Sequence, residues 1–110
     1  MKATYKVSDN LSFEIETEKQ SSLFAEIAKI QEVFSEPCCG KCKKTNLQYR
    51  VRENDGNLFY ELRCRDCQAK LHFGVKKVGG EIFPKRKGAD GEWVVDSGWL
   101  KWNKNTQQEE

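Results

Sequence analysis

At 110 residues, 37% hydrophobic and 33% charged, the chain fits one domain or a small module joined to a small companion. Its apolar content is too lean for a large core. No stretch approaches about 18 consecutive apolar residues, which excludes a membrane-spanning helix. The net charge of +2 is unevenly spread: residues 1–37 hold four Lys and seven Asp/Glu (−3), residues 38–87 thirteen Lys/Arg and five Asp/Glu (+8), and residues 88–110 two Lys and five Asp/Glu (−3). A basic middle flanked by acidic ends points to a nucleic-acid surface. A solvated face on a lysine-rich protein explains the same charge equally well.

The start, Met1-Lys2-Ala3-Thr4-Tyr5-Lys6, has no apolar run behind it. No export signal is therefore expected, and reduced thiols place the chain in the cytoplasm. Tyr5 and Val7 alternate with Lys6, and Ser8-Asp9-Asn10 forms a turn signal. Leu11, Phe13 and Ile15 then alternate with Ser12, Glu14 and Glu16, the pattern of a half-buried hairpin. That alternation leaves Glu14, Glu16 and Glu18 on a solvated edge rather than in a catalytic pair. Thr17 and Gln20 fit a capping box, with Thr17 at the N-cap. Leu23, Phe24, Ile27, Ile30, Val33 and Phe34 follow near helical spacing, and Pro37 closes the helix. Residues 1–37 thus form a ββα unit, too small to be stable alone and expected to pack on the rest.

Two cysteine pairs follow, Cys39-Gly40-Lys41-Cys42 and Cys64-Arg65-Asp66-Cys67, with 21 residues between them. A C-x2-C pair can form a tight knuckle that offers two thiolates to one ion. Two knuckles close a tetrahedral S4 site, the arrangement of structural zinc. The alternatives are two disulfides or a redox pair. A thioredoxin-like redox motif would need a βαβ setting around a single C-x-x-C, and the residues here suggest hairpins. Cys38, the fifth cysteine, is a substitute for Cys39, a spare beside the metal, or an ordinary thiol; the usual two-residue spacing favours Cys39.

Between and after the knuckles, three strands alternate. Leu47, Tyr49 and Val51 alternate with Gln48, Arg50 and Arg52; Leu58, Tyr60 and Leu62 with Phe59, Glu61 and Arg63; Ala69, Leu71, Phe73 and Val75 with Lys70, His72, Gly74 and Lys76. Glu53 to Asn57 is the turn between the first two, with Gly56 free to take positive φ. Over residues 38–76, the four cysteines and these strands resemble a zinc ribbon of the rubredoxin-knuckle kind. Many such knuckles carry Gly after the second cysteine, where this chain has Lys43 and Gln68. The resemblance implies one structural Zn2+ held by Cys39, Cys42, Cys64 and Cys67. The later segments Phe73-Gly74-Val75, Gly79 to Lys87 and Gly98-Trp99-Leu100-Lys101-Trp102 also look like small ribbon proteins encoded by phages and prophages.

Residues 79–110 form a C-terminal arm. Its glycines and Pro84 argue against a helix. Ile82-Phe83 and Trp93-Val94-Val95 are candidate short strands, Trp99 and Trp102 are candidates to fold back over apolar surface, and Asn103 to Glu110 is expected to fray. The expected class is α+β: a ββα unit (residues 1–37) packed on a three-stranded antiparallel zinc ribbon (38–78), followed by an irregular arm, all in one compact structural unit.

Strand parity puts Arg50, Arg52, Arg63, Lys70, His72 and Lys76 on one sheet face together with Phe59, opposite Tyr49, Tyr60, Leu62 and Phe73. Cations that hold phosphates beside a ring that stacks a base are how single strands are bound. Lys85, Arg86 and Lys87 in a Gly/Pro loop are a candidate backbone clamp. Each has a plainer reading as solvated charge, and Phe59 as a ring covered by neighbouring chain. His72, the only histidine, adds no open metal position beside four cysteines, and no Ser-His-Asp pattern or phosphate-cradling loop is present. The leading expectation is a non-enzymatic binder of single-stranded DNA or RNA. Duplex is disfavoured because the expected helix is acidic and carries no base-reading residues. The alternative is a protein-interaction adaptor or inhibitor that docks a host, replication or transcription partner. A membrane partner and a small-molecule substrate are not expected.

Overall fold

The computed structural model describes residues 1–110. It is a mixed α+β chain with one helix and eight strands in antiparallel sheets. The chain divides into two compact units, Met1–Glu36 and Pro37–Glu110.

The first unit is a hairpin and a helix. β1 (Lys2–Ser8) pairs antiparallel with β2 (Leu11–Glu16), with a bulge between Lys6 and Ser8. Apolar side chains point to one face and Ile15 is buried, while Lys2, Thr4 and Lys6 face solvent. α1 (Gln20–Phe34) lays Leu23, Ile27, Ile30 and Val33 on its inward stripe. The Phe13 and Phe34 rings meet at 5.0 Å between centroids, and the Gln31 amide bonds the Tyr5 hydroxyl at 3.1 Å. The expected capping box does not form. Thr17 is still in the hairpin ladder: its amide bonds the Met1 carbonyl and its carbonyl accepts from the Met1 ammonium. Its hydroxyl donates to the Lys19 carbonyl, and the helix begins after Lys19 with no side-chain cap. Phe24, about 100° round the helix from Leu23, is 78% exposed.

The second unit is built on four strands, β3 (Leu47–Asn54), β4 (Asn57–Cys64), β5 (Lys70–Val75) and β6 (Ile82–Pro84), in that order across the sheet. β3 and β4 are joined by Asp55-Gly56, both at positive φ, as a two-residue hairpin requires. The register pairs Tyr49 with Leu62 and Leu62 with Leu71, so these point to one face, with Leu62, Leu71 and Phe73 buried. Arg50, Glu61 and His72 are likewise in line on the other face.

The sheet has four strands where three are expected. The fourth is only three residues long and carries no alternation of its own. It is held because Gly74 leaves room for the Phe83 ring, which would lie 2.5 Å from a Cβ there. Lys76–Glu81 and Lys85–His72 backbone bonds, both 2.8 Å, extend the pairing at either end. Pro84 is tolerated because β6 is an edge strand and needs no donor there.

The arm beyond is more ordered than expected. Lys87 bridges Trp93, a 3-10 turn spans Val95–Gly98, and Leu100 exchanges two backbone bonds with Lys70. Trp99 is fully buried, whereas Trp102 is 57% exposed. The end expected to fray is a hairpin of β7 (Trp102–Asn103) and β8 (Gln108–Glu109). Short polar side chains close it: Asn103 bonds the Glu110 carboxylate and the Asn105 amide, and Thr106 also bonds Glu110. These local bonds satisfy the chain where apolar packing cannot.

Candidate metal centre and the basic sheet face

The sulfurs of Cys39, Cys42, Cys64 and Cys67 all lie within 4.8 Å of one another. Cys39 and Cys67 are 3.6 Å apart, and Cys42 and Cys64 are 3.5 Å apart. A tetrahedral ion with Zn–S bonds near 2.3 Å would place its sulfurs about 3.8 Å apart, so the cluster fits one metal ion. None of the five cysteines is disulfide-bonded. Cys38 is half-buried and lies outside the cluster.

The two knuckles match bond for bond. In the first, the Cys39 amide bonds the Lys44 carbonyl and the Lys43 amide bonds the Cys39 carbonyl; in the second, Cys64 and Ala69, then Gln68 and Cys64, repeat this. Amides point at sulfur in both: Lys41 and Cys42 toward Cys39 at 3.3 and 3.5 Å, Cys67 toward Cys64 at 3.5 Å. Lys43 and Gln68 take positive φ, 65° and 70°, where a glycine would sit without strain. We predict that Lys43→Gly stabilises the metal-loaded protein by about 0.5–1 kcal/mol, because relief of left-handed strain outweighs the exposed bond from the Lys43 ammonium to the Gly40 carbonyl and the added freedom of the unfolded chain. Urea melts of the two proteins at equal zinc occupancy check this; a lower midpoint for the glycine variant would contradict it.

The sulfurs are poised unequally. Burial raises the Cys64 thiol, but the Cys67 and Asp66 amides and the Cys42 and Cys67 side chains outweigh it and bring it down to about 7. Burial pushes Cys67 up to about 12, helped by the other three sulfurs and opposed by the Ala69 amide. Crowded thiolates repel, and a cation at the centre removes that repulsion.

The arm clasps the first knuckle. A Cβ on Gly40 would meet the Trp99 ring at 2.4 Å and the Asp96 carbonyl at 2.8 Å. Lys41, between the two ligands, pairs with Asp96 at 2.8 Å, and its hydrogen bond holds the Asp96 carboxyl below the usual range. Asp96, Ser97 and Gly98 all take positive φ. A Cβ on Gly98 would lie 2.3 Å from the Lys85 carbonyl. The sequence signal for this clasp is Gly98-Trp99; the Lys41–Asp96 pair has none.

The basic face holds a residue to which sequence reasoning assigned no role. Glu61 is 2% exposed and sits among three of the candidate binding residues. Arg50, Arg52 and His72 lie 3.7, 3.6 and 3.7 Å from its carboxylate oxygens. His72 also bonds Glu109 at 2.8 Å through its other nitrogen. Strand parity does put Glu61 on that face, but parity says nothing about burial. The Arg52 guanidinium lies 5.0 Å from the centre of the Phe59 ring, which is 40% exposed.

Other candidates are dispersed. Arg63 bonds Gln68, Lys76 pairs with Glu81 at 3.5 Å, Arg86 bonds the Ser97 carbonyl at 2.8 Å, and Lys87 lies 6.0 Å over Trp93. Lys70 is half-exposed and Lys85 exposed. No helix is long and apolar enough to cross a membrane. Comparison of the chain with family models, curated proteins and solved structures found no match.

Proposed function

We propose that Pro37–Glu110 is a zinc ribbon joined to a ββα unit, and that the protein is a non-enzymatic binder of single-stranded nucleic acid. The convergence of four cysteine sulfurs within 4.8 Å carries the metal part. Four thiolates saturate a tetrahedral zinc and leave no position for an activated water, so the ion's role is structural. The binding part rests on the charge of +8 in residues 38–87. Part of that charge is neutralised inside the fold at Glu61, while Lys44, Arg65 and Lys85 have exposed side chains outside any ion pair.

Phosphate contacts release counterions, so log affinity for a single strand falls by about 0.7 per neutralised phosphate with log salt. Four to six contacts give a slope of roughly −3 to −4. Fluorescence anisotropy with a labelled oligonucleotide across salt concentrations measures it. A protein that binds neither DNA nor RNA at low salt would remove this reading. The adaptor reading is favoured by one observation: Leu23, Phe24 and Ile27 line an open hollow of about 620 Å³ on α1. Capture of a partner that survives nuclease and is lost in Phe24→Glu would support it.

A further inference from the structure

An open hollow of about 380 Å³ lies in the second unit, lined by Lys41, Lys101, Trp102, Asn103, Lys104 and Glu110. Its size suits one nucleotide. Trp102, in this lining, is 57% exposed, although a large ring left in water costs free energy. Two other exposed rings on this unit, Phe59 and Trp93, differ. Arg52 lies over Phe59 and Lys87 over Trp93, so each of those rings already carries a cation from the chain. Lys101 and Lys104 are exposed and outside every ion pair described above.

Glu110 is the one acid in the lining, and bonds from neutral side chains hold its carboxyl below the usual range. Glu110 accepts bonds from Asn103 at 3.0 Å, Thr106 at 2.8 Å and Gln108 at 3.3 Å. Asp96 takes Lys41 at 2.8 Å. Beside the Glu110 carboxylate the lining holds the Trp102 indole and two lysines, Lys101 and Lys104, with no acidic partner.

We propose that this hollow is a nucleotide-stacking site: one unstacked base lies on Trp102 and its phosphate lies against Lys101 and Lys104. This rests on the single-strand reading and locates its aromatic contact on the C-terminal hairpin instead of the sheet face. A base paired within a duplex has no free face for the indole, so the site selects single strands. The only side-chain amide in the lining, Asn103, is already bonded to Glu110, so stacking is tolerant of base identity.

The test is anisotropy of a labelled oligothymidine with the zinc-loaded full chain, its Trp102→Ala, Trp102→Phe, Lys101→Ala/Lys104→Ala and Trp93→Ala variants, and a duplex arm. Zinc content and near-ultraviolet circular dichroism from buried Trp99 report folding. Trp102→Ala is expected to weaken binding by about fivefold to a hundredfold with the salt slope kept, and Trp102→Phe to restore part of it. The double lysine variant flattens the slope by about 0.7, the share of one phosphate contact. Trp93→Ala stays near wild type, and the duplex binds more weakly. Thymidine monophosphate that displaces the oligonucleotide through Trp102 assigns a free nucleotide, and failure to displace assigns the strand. A folded Trp102→Ala that binds like wild type overturns this site and leaves the single-strand reading standing. A wild type that binds no nucleic acid overturns both.

Discussion

Stripping the metal from the reduced protein is expected to unfold the Pro37–Glu110 unit. Its apolar core is Leu62, Leu71, Phe73, Ala69 and Trp99, with the ligands Cys39 and Cys64 buried among them. So small a core stabilises a sheet of short strands poorly, and structural zinc contributes on the order of 10 kcal/mol in small metal modules. Elemental analysis of freshly purified protein should give about one zinc per chain. Chelation should abolish the near-ultraviolet signal of Trp99, and zinc should restore it. Cys64→Ser should lose the metal, whereas Cys38→Ser should keep it, since Cys38 stands outside the cluster. Binding also releases protons, because the ion takes thiolates. Cys67, pushed up to about 12, keeps its proton through neutral pH and must be displaced; Cys64, at about 7, adds a further proton to displace only in acid. Apparent affinity therefore falls as pH drops, and more steeply below about 7. Metal-free protein with an unchanged fold would remove the structural role from the site.

Trp99→Ala is expected to cost about 3–5 kcal/mol, the range for emptying the place of a fully buried aromatic. Trp99 is fully buried and its ring fills the space beside Gly40. Its loss opens a cavity against the first knuckle, so zinc should also leave faster. The indole Nε1 is buried without a partner, which already costs part of what the ring contributes. Trp99→Phe keeps most of the packing and removes that donor, so its loss should be much smaller, on the order of 1 kcal/mol. Denaturant midpoints at saturating zinc, with release of zinc to a chromophoric chelator, read both effects. An alanine variant as stable as wild type would show that the clasp over the knuckle contributes nothing.

Local elements were legible in the sequence because each has a short-range cause. Alternation fixes which side of a strand is apolar, and the structure keeps Leu62, Leu71 and Phe73 on one face with Arg50, Glu61 and His72 on the other. Asp55-Gly56 marks the hairpin because two adjacent residues must take positive φ. The C-x2-C pairs mark the knuckles because two residues between cysteines let both sulfurs turn toward one point. The failed capping box shows the limit of a local rule. Thr17 has the right spacing to Gln20, but the ladder bonds to Met1 claim it first.

What only the tertiary structure decided concerns groups distant in sequence. β6 exists because Gly74 makes room for Phe83, and the clasp exists because Gly40 makes room for Trp99. The largest change falls on the basic face. By sequence, Arg50, Arg52 and His72 are candidate nucleic-acid contacts; in the fold they surround one buried carboxylate, Glu61, and His72 reaches Glu109 from 37 residues away. Composition and parity count charges and assign faces. Which charges remain for a ligand depends on burial, and burial is set by the segments that close over the sheet.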